Sequence, residues 1–172
     1  MSITTRRGDD GWAELPYGRR VRKNDVRLRA CGSLDELGAF LGLARAELDG
    51  ERAEKLLARQ RDLLIVSAEV VALPDCADRL SQRMRDEMIE RLDADIAALE
   101  EGWSKRGERF ALTGENRTAA LLDVCRCVAR RAERDVATVA DTMPVPPLVP
   151  AWLNRLSDWL FLLARDTEAS PA

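Results

Sequence analysis

The sequence predicts an all-α fold: a five-helix bundle with an irregular basic N-terminal arm over residues 1–30, in a single domain spanning residues 1–172. Three observations carry that expectation. Apolar residues recur every three or four positions in five separate stretches, the spacing of one face of an α-helix. No stretch alternates with period two for long enough to make a sheet strand. The composition, 46% hydrophobic and 33% charged with ten Gly and seven Pro, is that of amphipathic helices and not of a disordered chain.

The arm comes first. It is polar, rich in Gly and Arg, and lacks periodicity. Arg6, Arg7, Arg19, Arg20, Arg22, Lys23, Arg27 and Arg29 are opposed there only by Asp9, Asp10, Glu14 and Asp25. The chain as a whole carries a net charge of -3 with a pI near 5.2. It therefore offers no long-range attraction to nucleic acid or to an anionic membrane, and any anion site must be local.

Ser33-Leu34-Asp35-Glu36 has the form of a capping box and predicts the start of the first helix. Leu34, Leu37, Leu41, Ala44 and Leu48 give that helix its apolar stripe, and Gly50 ends it. The second helix is expected from about Glu51 to Leu73, with Leu56, Leu57, Leu63, Leu64, Val70 and Val71 at helical spacing and Pro74 closing it. The third runs from near Arg79 to about Glu100 on Leu80, Met84, Met88, Leu92, Ile96 and Leu99. After a connector at 102–114, the fourth runs from about Thr118 to Asp141 and buries Leu122, Cys125, Val128, Ala129, Ala132, Val136 and Val139. The proline-rich segment 144–150 is expected to be a non-helical turn. The fifth helix follows with Leu153, Leu156, Leu160 and Leu163 inward and Trp152 and Trp159 on a neighbouring strip.

Some chemistries are excluded at once. With no histidine in the chain, a Ser-His triad and a histidine-based zinc hydrolase are out of reach. Cys31, Cys76, Cys125 and Cys127 form no C-x-x-C pair and read as the reduced thiols of a cytoplasmic protein. No apolar run reaches the length of a membrane span.

Three groups of residues could carry chemistry. Arg126, Arg130 and Arg134 are spaced four apart on one face of the fourth helix, where like charges repel unless an anion lies opposite. Two readings stand side by side: a solvated face balanced by Asp123, Glu133 and Asp135, or a phosphate cradle or subunit interface. Asn154 and Asp158 share a face of the fifth helix beside Arg155, and an amide inside an apolar helix needs a partner. In the arm, Gly8 and Gly11 within Thr5-Arg6-Arg7-Gly8-Asp9-Asp10-Gly11 let the backbone turn its N–H groups toward an anion. Arg6 and Lys23 could supply charge-assisted contacts there. This is not a P-loop, since no Gly-Lys-Ser/Thr opens a helix.

Taken in order, these segments resemble the PduO-type ATP:corrinoid adenosyltransferases. The T-[KR]-x-G-D-x-G pattern is met by Thr5, Arg6, Gly8, Asp9 and Gly11, and R-V-x-K-x-D-x-R by Arg20, Val21, Lys23, Asp25 and Arg27. G-x-x-D-E-L is met by Gly32, Asp35, Glu36 and Leu37. The R-x-x-x-R-R-A-E-R helix is met by Arg126 with Arg130 to Arg134, and L-N-R-L-S-D by Leu153 to Asp158.

The resemblance implies a homotrimer with active sites between subunits, transferring the 5′-deoxyadenosyl group of ATP to cob(I)alamin with release of triphosphate. It implies that Thr5, Arg6, Gly8, Asp9, Gly11 and Lys23 hold the phosphates with a magnesium ion (Mg2+), joined by Arg130, Glu133 and Asn154, with Arg134 and Asp158 beside them. Asp35 and Arg126 match a pair that bridges two subunits. Phe110 matches the aromatic on the lower face of the corrin. A hand-off of product to an adenosylcobalamin-dependent enzyme is a further implication. The chain departs from the pattern at Cys31, Gly38, Ala13, Thr113 and Glu115. Those departures leave open a second reading, a catalytically weak member acting as a nucleotide- or corrinoid-binding or regulatory protein.

Overall fold

The computed structural model describes residue 4 and residues 6–72, 74–104 and 112–169. Five helices make the body: α1 Val26–Ala46, α2 Gly50–Val71, α3 Asp86–Ser104, α4 Arg117–Ala140 and α5 Leu148–Ala169. Across the bundle the packing order is α2, α1, α4, α5, α3. One contiguous apolar cluster lies between them, and Trp152, Trp159, Leu34, Leu37, Leu41, Leu122, Leu153 and Leu156 are among its largest fully buried members. Every residue expected inward on α4 and α5 is buried, and the strip holding Trp152 and Trp159 is as buried as the leucine stripe beside it.

The arm is not irregular throughout. Strands β1 Trp12–Glu14 and β2 Arg20–Arg22 pair antiparallel, with Trp12 opposite Arg22, Ala13 opposite Val21 and Glu14 opposite Arg20. Three pairs are too few to raise a period-two signal. Leu15 and Val21 of this hairpin are buried.

The first helix begins seven residues before the expected capping box. Asp25 is the N-cap: its carboxylate accepts the Arg27 backbone N–H at 2.9 Å and two further hydrogen bonds from the Arg27 guanidinium at 2.9 Å each. These bonds hold the Asp25 carboxyl below its ordinary value of 3.8. Ser33 instead lies buried inside α1 and donates to Asp135 of α4. Gly50 opens α2 and does not end α1, which stops at Ala46.

Two further boundaries move. The third helix starts at Asp86; the preceding residues Pro74–Arg79 form a 3-10 turn. The proline-rich segment is only partly a turn, because α5 starts at Leu148 and carries Pro150 in its first turn. A proline is tolerated there because the first N–H groups of a helix have no intrahelical partner.

Candidate functional site

The arm's turn is built by two local hydrogen bonds: the Asp9 N–H donates to the Arg6 carbonyl at 3.3 Å and the Gly11 N–H to the Gly8 carbonyl at 3.3 Å. Arg6 and Gly11 have positive φ, 58° and 81°. The Lys23 N–H then donates to the Gly11 carbonyl at 3.0 Å, which sets the lysine against the turn. A Cβ on Gly8 would stand 3.2 Å from Lys23 Nζ, a tight contact that would push the ammonium outward by a few tenths of an ångström. A concavity of about 320 Å³ opens here, lined by Gly8, Trp12, Ala13 and Lys23 among others.

The neighbouring charges divide their work. Arg20 donates to both Asp10 oxygens at 2.9 Å and to the Arg7 carbonyl at 3.1 Å, and Asp10 also accepts the Trp12 N–H. The Arg20 hydrogen bonds hold the Asp10 carboxyl below its ordinary value. Asp10 and Arg20 therefore brace the loop. Arg6, Asp9 and Lys23 are exposed and enter no ion pair among the described residues.

On the helices, Asn154 Nδ2 of α5 donates to Glu133 Oε1 of α4 at 3.5 Å, a long bond that brings the two expected ligands together. Arg130 and Arg134 flank Glu133, exposed and without a carboxylate partner among the described residues. Asp158 is exposed one turn beyond Asn154. Arg126 differs: its Nε lies 3.5 Å from Asp123 Oδ1, and Asp123 is buried and held by Arg165 at 2.5 Å. Asp135 is buried too, accepting from Ser33 at 2.6 Å and pairing with Arg29 at 3.0 Å. Of the three acids on this helix that could balance the arginine row, Asp123 pairs with Arg126, Glu133 contacts Asn154, and Asp135 is taken by Ser33 and Arg29, while Arg130 and Arg134 lie exposed.

Asp35 stands elsewhere. It is exposed on the flank of α1 that faces α2, lining a groove with Leu57, Gln60, Arg61 and Leu64. It makes no ion pair with Arg126 of its own chain. Beside it, burial first and Asp35 second push the Cys31 thiol up to about 11. Thr5 and Phe110, both expected at the site, lie outside the described residues.

Sequence reasoning missed the ties that set α1 against α4: Ser33 and Arg29 on Asp135, and Arg131 donating to Glu36. The one available signal was Asp135 itself, an acid next to Val136 on the apolar side of α4.

Residues 3–167 match the model of a family described as cobalamin adenosyltransferase. The chain belongs to the cobalamin adenosyltransferase family. Among the family's members, a corrinoid adenosyltransferase of Citrobacter freundii is 34% identical over 172 residues, which covers 98% of this chain and 96% of that one. The corrinoid adenosyltransferase of Bacillus subtilis (strain 168) is 33% identical, covering 98% and 88%. That of Mycobacterium tuberculosis (strain ATCC 25618 / H37Rv) is 36% identical, covering 95% and 86%. A variant of the PduO-type ATP:corrinoid adenosyltransferase from Lactobacillus reuteri, complexed with ATP, superposes with a TM-score of 0.88 over 98% of this chain and 94% of that one. Another variant of it, complexed with cobalamin and ATP, gives 0.87 over 98% and 91%. Both are 24% identical to this chain, so they speak to the fold, and the five-helix bundle is the fold of this adenosyltransferase family.

Proposed function

We propose that the protein transfers the 5′-deoxyadenosyl group of ATP to the cobalt of cob(I)alamin. Co(I) attacks the ribose C5′ with its own electron pair, the C5′–O bond breaks, and triphosphate leaves with the bonding electrons. Because the substrate metal is itself the nucleophile, no general base is required, which suits a chain without histidine. The protein's task is to hold C5′ in line and to stabilise the charge on the departing triphosphate.

One observation carries the reading. A chain similar over nearly its whole length to corrinoid adenosyltransferases also closes Lys23 onto Gly8 and leaves Arg130 and Arg134 without an ion-pair partner among the described residues, beside the Glu133–Asn154 contact. Unpaired cations on a fixed glycine turn and on a packed helix are suited to binding a polyphosphate. In this reading Thr5, Arg6, Gly8, Asp9, Gly11 and Lys23 take the phosphates from the arm, and Arg130, Arg134, Glu133, Asn154 and Asp158 take them from the bundle. The described residues hold no cluster of three or more metal-ligating side chains. The exposed Asp9 and half-buried Glu133 nevertheless fit a magnesium ion that relies on one or two carboxylates and on the phosphates themselves. When bound, that ion would neutralise charge on the phosphates.

The separation of Asp35 from Arg126 supports a shared site. Asp35 lies on the α1–α2 flank and Arg126 on α4, two different surfaces of one chain. A pairing of the two between copies is compatible with the homotrimer that the family resemblance implies, a heterologous contact whose rotation closes as a ring. No described helix is long and apolar enough to cross a membrane, and the reading puts the enzyme in the cytoplasm, with its product passed to an adenosylcobalamin-dependent enzyme. The alternative of a binding or regulatory protein without transfer is not favoured, since the similarity to enzymes of this activity runs through the whole chain.

Phe110 is assigned the wall against the lower face of the corrin. The test is spectroscopic. With ATP and cob(II)alamin, the absorption and paramagnetic spectra should move to those of a cobalt lacking its lower axial ligand, and Phe110→Ala should lose that shift while still binding ATP. Unchanged cobalt spectra at saturating ATP would remove the corrinoid from the proposal.

A further inference from the structure

We infer that Tyr17 and Arg79 form a latch that positions the nucleotide-binding arm, and this inference rests on the assignment of Gly8 and Lys23 to the phosphates. Tyr17 sits at the tip of the hairpin with φ 68° and ψ 21°, a left-handed backbone that non-glycine residues rarely adopt. Its ring is stacked by the guanidinium of Arg79, whose Cζ stands 4.1 Å from the ring centroid. Arg79 ends the 3-10 turn Pro74–Arg79 between α2 and α3, so the contact joins the arm to the body. A strained residue persists where its surroundings over-determine it. Glycine would relieve the backbone at position 17, but only an aromatic side chain makes this stack.

The lever runs from tip to root. The tip is closed by the Leu15 N–H donating to the Arg19 carbonyl at 2.7 Å and by the Gly18 N–H donating to the Leu15 carbonyl at 3.2 Å. Three strand pairs carry that geometry to Trp12 and Arg22, and the adjoining Lys23 N–H bonds Gly11. A two-stranded hairpin is marginal alone, so its docking decides where Gly8 and Lys23 stand. Leu15 and Val21 are buried, whereas Tyr17, 42% exposed, makes its contact with Arg79 at the surface. Unlatching leaves the buried contacts in place and lowers the fraction of arms held ready, and apparent affinity falls by that fraction. Bound ATP restores the arm. The effect therefore falls on KM for ATP and leaves kcat unchanged.

The experiment compares Tyr17→Gly, Arg79→Ala and Tyr17→Phe with wild type in the full chain. It measures kcat, KM for ATP, the melting temperature, and amide hydrogen exchange at Leu15 and Lys23 with and without ATP. Tyr17→Gly and Arg79→Ala should each raise KM for ATP roughly two- to fivefold, the worth of an exposed cation–π contact, with kcat and melting temperature unchanged. Their hairpin amides should exchange faster without ATP and at the wild-type rate with it. Tyr17→Phe, which keeps the ring, should behave as wild type. Wild-type KM and exchange in Tyr17→Gly would overturn the latch, as would a Tyr17→Phe defect equal to that of Tyr17→Gly. Should the wild-type protein fail to consume ATP, the assignment of function falls instead, and hydrogen exchange without ATP still decides the latch.

Discussion

Ser33 of α1 donates its hydroxyl to the Asp135 carboxylate of α4 across 2.6 Å of the protein interior. Arg29 completes the contact from the surface end at 3.0 Å. The bond fixes how the helix bearing Asp35 lies against the helix bearing the arginine row. Ser33→Ala leaves a buried carboxylate oxygen short of a donor and should cost about 1 to 3 kcal/mol in urea unfolding. A loss of no more than a few tenths would mean that the bond contributes nothing net.

The N-cap of α1 carries a pH signature. Because Arg27 holds the folded-state carboxyl of Asp25 below 3.8, its contribution is present above that value and is lost as pH falls through the lower folded value. Asp25→Ala should lower stability by about 0.5 to 2 kcal/mol at neutral pH. The gap between variant and wild type should narrow below about pH 4, as followed by thermal melts across pH. A gap that stays constant into acid would deny the ion pair its role.

Arg130 supplies the clearest energetic test of the phosphate cradle. Arg130→Ala should weaken ATP binding by about 1.5 to 3 kcal/mol in calorimetry, the worth of a hydrogen bond to a charged group. Adenosine should bind poorly to both proteins. Equal ATP affinities would remove α4 from the site.

The thiols should sort by burial. Desolvation pushes Cys125 up to about 12 and, with Asp35, Cys31 up to about 11, so both remain protonated at pH 8 and resist alkylation. Cys127 is exposed on α4. Mass spectrometry after brief iodoacetamide treatment of the native protein should find Cys127 modified well before either.

The helices were legible because each carries a long apolar period, and α4 and α5 bury the residues that the period named. Boundaries were less so. Ser33 and Glu36 mimic a helix start in composition, yet both turn across to α4, and a contact between residues a hundred positions apart leaves no local mark. Asp25, the N-cap of α1, sits inside a stretch whose arginines suggested an arm. The hairpin was hidden by its length of three pairs. At the site, the family resemblance, not spacing, grouped Glu133 with Asn154, and a 3.5 Å contact joins the two. The approach of Lys23 to Gly8 was not readable from spacing, because it depends on the backbone of Gly11 returning to β2.

Shared sites make a separate prediction. Sedimentation equilibrium should give a trimer at micromolar concentration, and mixing inactive Asp35→Asn and Arg130→Ala chains should restore part of the activity. The mixed assembly contains sites with both side chains intact. A stable monomer, or no recovery on mixing, would exclude a site built from two chains.

The most direct measurement is anaerobic incubation of the protein with ATP and chemically reduced cob(I)alamin, following the cobalt–carbon product by its absorption spectrum and its photolability while triphosphate is assayed. Catalytic turnover is expected, with one triphosphate released for each adenosylated corrinoid. Bound ATP with no cobalt–carbon product, or release of phosphate and ADP in place of triphosphate, would contradict it.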